Sequence, residues 1–334
     1  MKKYDMRLER FVTFVKDKAL IFVLLAMIVV ISVINPSFVQ WRVLNDILTQ
    51  ASVKMIVALG LMFPLLLGGT DLAGGRQVGL AAVLVASMSQ VTNYTNRFYA
   101  DLPEWPIVIP ITIALAVGAI IGAANGIMIS KLRMAPFIAT FGMSTIVYGI
   151  NCLYIAREPN RSQPIGGIRA ELTRISSYKL FGQISPLVII ALVMIIIVWF
   201  VLTKTVFGKN IYIVGGNREA AKVSGINVDR VIISAYVIES ILVAFGGVLE
   251  VARTSGANSA YGTSYEFDAI TSCVVGGVSL SGGVGTVFGT ITGVIIFTVI
   301  TYGLTFIGVN ANWQLIIKGL IICTSVALDM RKHK

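Results

Sequence analysis

Apolar residues in this chain come in long unbroken runs rather than on one side of a helix or strand. Ala19–Ile34, Met55–Leu67, Ile107–Ile121, Leu187–Leu202 and Val287–Ile300 lack both the alternation of a half-buried strand and the stripe of a surface helix. A run approaching ~20 apolar residues matches the ~30 Å hydrocarbon core of a bilayer. About ten membrane-crossing segments follow, at roughly 19–35, 51–68, 77–91, 106–129, 137–155, 186–203, 231–251, 269–278, 285–303 and 313–328. The eighth is too short for a regular span, and Gly276, Gly277, Gly282 and Gly283 flank its end. A broken or re-entrant piece is expected there, since such backbone survives at membrane depth only where protein or a water-filled cavity covers it. The predicted fold class is an all-α integral membrane protein: a polytopic domain over 19–328, flanked by segments 1–18 and 329–334.

Composition supports this pattern. Hydrophobic residues make up 56% of the 334 and charged residues 13%, about half the charged share of a soluble domain. The net charge of +11 would suggest nucleic acid on a soluble protein. Here it arises from Lys and Arg gathered beside the spans, and no nucleic-acid partner is expected. Lys2, Lys3, Arg7, Arg10, Lys16 and Lys18 precede the first span. Arg76, Lys131, Arg133, Lys204, Lys209, Arg218, Lys222, Arg230, Arg331, Lys332 and Lys334 fall on the same predicted side. Positive residues favour the cytoplasmic face, so both termini are expected inside. The first run ends in Ile34-Asn35-Pro36-Ser37 without a small-x-small cleavage site and is taken as an uncleaved span. Trp41, Trp105 and Trp313 fall near span ends, where amphipathic rings favour the interface.

Catalytic signals are missing. His333 is the one histidine, and Cys152, Cys273 and Cys323 sit in or beside apolar runs at no metal-like spacing. They are expected as free thiols packed like small hydrophobes. No phosphate loop of the form G-x-x-x-x-G-K-[ST] occurs. The chain is expected to be non-catalytic, to hold no metal and to carry no cofactor.

Three features carry candidate function. The frame G-G-x-x-L-x-G-G occurs twice, at 68–75 and 276–283, which suggests two related halves, each with a glycine-broken helix beside a shared route. Within or near these breaks, Gly68, Gly69, Asp71, Gln77, Glu266, Asp268, Gly276, Gly277 and Ser279 are the pathway candidates. Charges in apolar runs cost on the order of 3 kcal/mol on insertion. Lys54 and Arg253 are expected to snorkel to the interface, and Glu239 to pack on another polar helix surface. The second feature is the cytoplasmic segment 204–230. Asn217 is a good N-cap, Glu219 suits the first turn and Gly225 the C′ position, so a helix of about two turns is expected over 218–224. Ala220 and Ala221 would let another surface approach it. Third, Gly118/Gly122/Gly126 and Gly285/Gly289/Gly293 put glycine on one helix face every fourth residue, as close helix packing in lipid requires.

The chain resembles the permeases of bacterial ABC sugar importers in the ribose/galactose group. The resemblance covers nearly its whole length. It is carried by G-T-D-L-A-G-G-R-Q-V-G-L-A-A (69–82), P-F-I-A-T-F-G (136–142), V-Y-G-I-N (147–151), F-G-K-N-I-Y-I-V-G-G-N-R-E-A-A-K-V-S-G-I-N-V (207–228), Y-E-F-D-A-I (265–270), V-V-G-G-V-S-L-S-G-G-V-G-T-V (274–287) and W-Q-L-I-I-K-G (313–319). The 69–82 and 147–151 forms look most like the galactoside branch. The resemblance implies a permease in the bacterial inner membrane that moves a monosaccharide, galactose or methyl galactoside, into the cytoplasm. It further implies pairing with a second permease copy, an ATPase subunit with two fused cassettes that binds the ATP, and an extracytoplasmic sugar-binding protein. Segment 217–225 looks like the family's coupling helix, with Asn217, Glu219, Ala220, Ala221 and Gly225 at the matching places. Glu239 and the loop 156–185 depart from the pattern. The alternatives are a permease for ribose or another sugar and an ion-coupled sugar carrier.

Overall fold

A computed structural model describes residues 19–180 and 182–332. The predicted leader 1–18 and His333 lie outside the described residues. Among these, regular structure is helical apart from three isolated β-bridges. The helices are α1 (Ala19–Ile34), α2 (Trp41–Leu66), α3 (Gly74–Met88), α4 (Val108–Ser130), α5 (Pro136–Ile155), α6 (Ala170–Ser177), α7 (Pro186–Lys204), α8 (Val206–Gly216), α9 (Arg218–Val223), α10 (Val228–Thr254), α11 (Tyr265–Val275), α12 (Val287–Phe306) and α13 (Ala311–Lys332). A 3-10 turn, Pro36–Val39, joins α1 to α2.

Local chemistry sets the starts. Ser185 accepts from Leu187 N while Pro186 fills the first turn of α7, and Thr286 accepts from Gly289 N at the start of α12. Among the described residues, six helices are long and apolar enough to cross a membrane: α2, α4, α5, α7, α10 and α12. The apolar windows of α2 and α10 are 78% and 67% buried, against 22% for α7. The centre of the bundle is therefore α2 and α10, with α4, α5 and α7 turning most of their apolar surface outward. α3 and α11 are short, as expected of interrupted segments.

Glycine lets the central helices touch. A Cβ on Gly122 would lie 2.3 Å from Tyr236 O, and one on Gly126 2.7 Å from Ile233 Cα, so α4 lies directly on the α10 backbone. Gly289 and Gly293 bring α12 equally close to α11. Gly285 does not belong to that stripe: α12 starts two residues later, and Gly285 lies in the preceding loop with φ +158°.

The bundle has two distinct ends. At one, Gly283 N donates to Leu66 O (2.8 Å), Lys131 pairs with Asp229 (2.7 Å) and Arg218 reaches Leu67 O (3.3 Å). This gathers the ends of α2 and α4, the start of α10 and the loop 276–286 around α8 and α9. At the other, Ile165 bridges Ala257, Gln90 bridges Ile168 and Arg169 donates to Trp105 O (2.7 Å). The loop 156–185 closes that end, with α6 anchored by buried Leu172.

Two expectations need correction. α2 begins at Trp41, not near 51, because Asn45, Asp46, Thr49 and Gln50 form polar helical turns that an apolar window cuts away. Lys54 does not snorkel: its ammonium faces Asp268 at 3.5 Å and its side chain is 13% exposed. Arg253, in the last turn of α10 and 28% exposed, grips Glu250 through two nitrogens, at 2.7 and 3.2 Å. α13 runs through Lys332, into the predicted segment 329–334, of which residues 333 and 334 lie outside the described residues.

Candidate functional site

The segment 204–230 is almost wholly helical. α8 ends at Gly216, Asn217 turns extended (φ −159°), and its side chain accepts from Ala220 N at 2.9 Å to start α9. Gly225, at φ +80°, stops it. Lys222 donates to Glu219 at 2.7 Å, and this ammonium holds the exposed Glu219 carboxyl below its usual range. Ala220 is exposed and Ala221 buried. The two alanines thus serve opposite purposes: Ala221 seats α9 on its own bundle, and the outward face belongs to Ala220 and Val223, the latter 90% exposed. Beneath α9 lies a cavity of about 580 Å³ lined by Lys131, Arg133, Arg218, Lys222, Glu219 and Asp229, among others. Cations outnumber anions among these six, which suits an acidic or anionic partner surface.

The first glycine frame folds as a tight break between α2 and α3. Gly68 has φ +70°, and a Cβ there would meet Ser281 O at 3.0 Å. Asp71 is fully buried, and its carboxylate accepts from Ala73 N (2.6 Å) and Asn125 Nδ2 (3.1 Å). Thr140 binds the same loop from α5, accepting from Leu72 N and donating to Thr70 O. Glu239, also fully buried, accepts from Ser240 Oγ at 2.8 Å. Its Oε1 has no donor among the described residues. Glu239 lies against the same break: a Cβ on Gly74 would meet its Oε1 at 3.5 Å. The break is therefore pinned to α4, α5 and α10 at once.

The second frame meets the first. Gly282 packs on the Gly68 backbone and on Gly215 O, so both glycine segments and the entry to α9 converge at one point. Their backbones differ, however. Gly74 and Gly75 start α3, whereas Gly282 and Gly283 are loop residues with φ +87° and +71°. Gly276 caps α11, Gly277 turns at φ +88°, and Ser279 is buried with its N–H on Val284 O.

The remaining candidates separate. Asp268 is held by Lys318 (3.1 Å) and Lys54 (3.5 Å), with both ammonium groups 5.8 Å from the Phe297 ring centre. That cluster clamps α2, α11, α12 and α13 together and leaves Asp268 no free carboxylate edge for a cargo. Glu266 instead lies over Gly75, where a Cβ would come within 1.8 Å of its Oε2, and this oxygen has no partner among the described residues. Gln77 is buried, and neither of its amide atoms has a partner among the described residues. Arg76 lies in the first turn of α3, its guanidinium 4.1 Å from the centre of the Tyr148 ring and donating to Thr263 Oγ1 at 3.2 Å.

With the geometry in place, similarity to known proteins decides the family. Residues 43–326 match the family described as "branched-chain amino acid transport system / permease component". The chain belongs to this permease family. It is 47% identical over 325 residues to the galactose/methyl galactoside import permease protein of Haemophilus influenzae, covering 95% of each chain. Against the protein of that name from Escherichia coli K12 it is 46% identical, covering 97% of each. The ribose import permease protein of Bacillus subtilis is 34% identical over 92% of this chain and 91% of its own length. No solved structure matches. A family of permeases agrees with six apolar helices of spanning length and with a glycine-broken segment held inside the bundle.

Proposed function

We propose that this chain is the membrane-spanning subunit of an ATP-driven importer for galactose or methyl galactoside. One observation carries the choice of cargo: similarity to two galactose/methyl galactoside permeases runs at 46–47% over 95–97% of the chain, against 34% for the ribose permease. The family description names branched-chain amino acids, but it is a label for a wide group, and the full-length relatives are the sharper guide.

In this view the protein sits in the bacterial inner membrane with the α9 end in the cytoplasm. α9 is the contact for a separate ATPase subunit with two fused cassettes. A second copy of the chain completes the route, and an extracytoplasmic protein delivers the sugar at the end closed by 156–185. Nucleotide binding displaces α9, and the rigid connection from Gly215 to both glycine segments carries that movement into α2, α3 and α11. Rigid rocking of packed helices then alternates access to the two sides. ATP hydrolysis belongs to the ATPase subunit. A selective binding protein relieves the permease of tight binding, which would slow release.

The test is uptake of a panel of labelled sugars by vesicles holding this chain, its ATPase and its binding protein. Galactose or methyl galactoside should accumulate only with ATP inside. Accumulation of ribose in preference, or uptake by the chain alone on an ion gradient, would overturn this assignment.

A further inference from the structure

Arg76 has a costly position. It lies about 18 Å along α3 from the last residue, Met88, which is well inside the hydrocarbon depth if Met88 marks one surface. An arginine there is expensive unless it faces water or a polar partner. Yet among the described residues it forms no ion pair. One of its five N–H donors goes to Thr263, and its flat face rests on Tyr148. The Tyr148 ring is not enclosed: the residue is 40% exposed.

Polar groups gather around this pair. Glu266 is wedged over Gly75, one residue before Arg76, with its Oε2 unpaired. Asn151 lies one turn beyond Tyr148 on α5; its Nδ2 would be 3.6 Å from a Cβ on Gly79, and its Oδ1 is buried without a donor. Both residues are more than nine-tenths buried. Buried polar atoms without partners are rare and call for an explanation. A cation with free donors, an open aromatic ring, and a carboxylate and an amide with spare capacity form a set that matches a pyranose. Its C–H face rests on aromatic rings, and its hydroxyls both donate and accept.

We propose that Arg76 and Tyr148, with Glu266 and Asn151 beside them, form a transient sugar-contact station within the permease, through which galactose passes between delivery and release. This rests on the assignment of a galactoside cargo. The exposed donors of Arg76 meet ring hydroxyls, and Tyr148 both holds the guanidinium flat and offers its remaining surface to the sugar.

The test uses the complete complex with its ATPase and loaded binding protein. Tyr148→Ala and Arg76→Ala should each lower galactose moved per ATP hydrolysed by about tenfold, while stimulation of ATP hydrolysis by the loaded binding protein stays within about twofold of the parent. Tyr148→Phe, which keeps the ring, should transport nearly normally. Arg76→Lys keeps the charge but not the flat stack or the forked donors and should fall between. The alanine variants should also change the relative uptake of galactose against other hexoses. Two results would overturn the station: parental sugar-to-ATP ratios in both alanine variants, or a loss of uptake and stimulated hydrolysis in equal proportion, which marks a structural role. A parent complex that moves no galactose would instead refute the cargo assignment.

Discussion

At the scale of single residues, the buried acid at the helix break carries the most structural consequence. Asp71 satisfies the Ala73 amide and the Asn125 side chain from a fully buried position in the bundle. Removing such an acceptor leaves donors stranded, at about 1–3 kcal/mol each. Asp71→Ala is therefore expected to cost about 2–5 kcal/mol and to lower the melting temperature of the detergent-solubilised protein clearly. Asp71→Asn, which can keep the bond to Ala73, should fall between it and the parent. Equal melting of all three would mean that the loop 67–73 is held by something else. Glu239 gives a sharper contrast. Glu239→Gln keeps a carbonyl oxygen for the Ser240 hydroxyl and nearly the same volume, so uptake driven by ATP should persist. An ion-coupled carrier that used this acid to bind a proton or cation would lose uptake on the same change.

At the scale of helices, contact between backbones decides which glycines matter. A Cβ on Gly122 would meet Tyr236 O at 2.3 Å, whereas one on Gly142 would meet nothing within 4 Å. Overpacking of this kind costs about 1–3 kcal/mol or more, and α10 cannot retreat because its other side packs on α2. Gly122→Ala should accordingly lower yield and melting temperature, and Gly142→Ala should leave the fold of the single chain unchanged. Most of this level was legible in the residues. The long apolar runs mark α4, α5, α7, α10 and α12, every fourth glycine marks the α4–α10 contact, and Asn217 with Gly225 marks both limits of α9. What escaped depended on partners distant in the chain. Lys54 lies 214 residues from Asp268, so its charge looked like a snorkelling end rather than half of a clamp. The inward turn of Ala221 and the placement of Arg76 over Tyr148 depend on neighbouring helices in the same way. α8 was missed because K-T-V-F-G-K-N-I-Y-I-V-G-G carries two glycines near its end and no strong stripe.

At the scale of the whole molecule, the shortest helix occupies the position of greatest leverage. α9 is joined through Gly216 and Asn217 to a point where Gly215, Gly68 and Gly282 touch, and through Gly225 to the start of α10, the central helix. In the proposed transmission, a push on its outward face, where Val223 stands 90% exposed, reaches both glycine segments through Asn217 and Gly216. The connection most open to attack is Gly225. Its φ of +80° is forbidden to proline, which needs about −65° and cannot supply the N–H that now bonds to Lys222 O at 2.9 Å. Gly225→Pro should leave the chain inserted in the membrane, because none of the spanning helices is touched. It should cut ATP-driven sugar uptake at least tenfold in the assembled importer. Glu219→Lys turns the attraction between Glu219 and Lys222 into a repulsion and removes the negative charge from the first turn of α9. It should lower ATP-driven uptake by disordering α9, and, because it adds charge to a basic surface proposed to meet an acidic one, it should raise the salt sensitivity of ATPase attachment. Both are read by co-purification of the ATPase at two salt concentrations alongside uptake. If Gly225→Pro transports at the parental rate with the ATPase still bound, then force enters this bundle by another surface, and α9 is only a well-capped turn between α8 and α10.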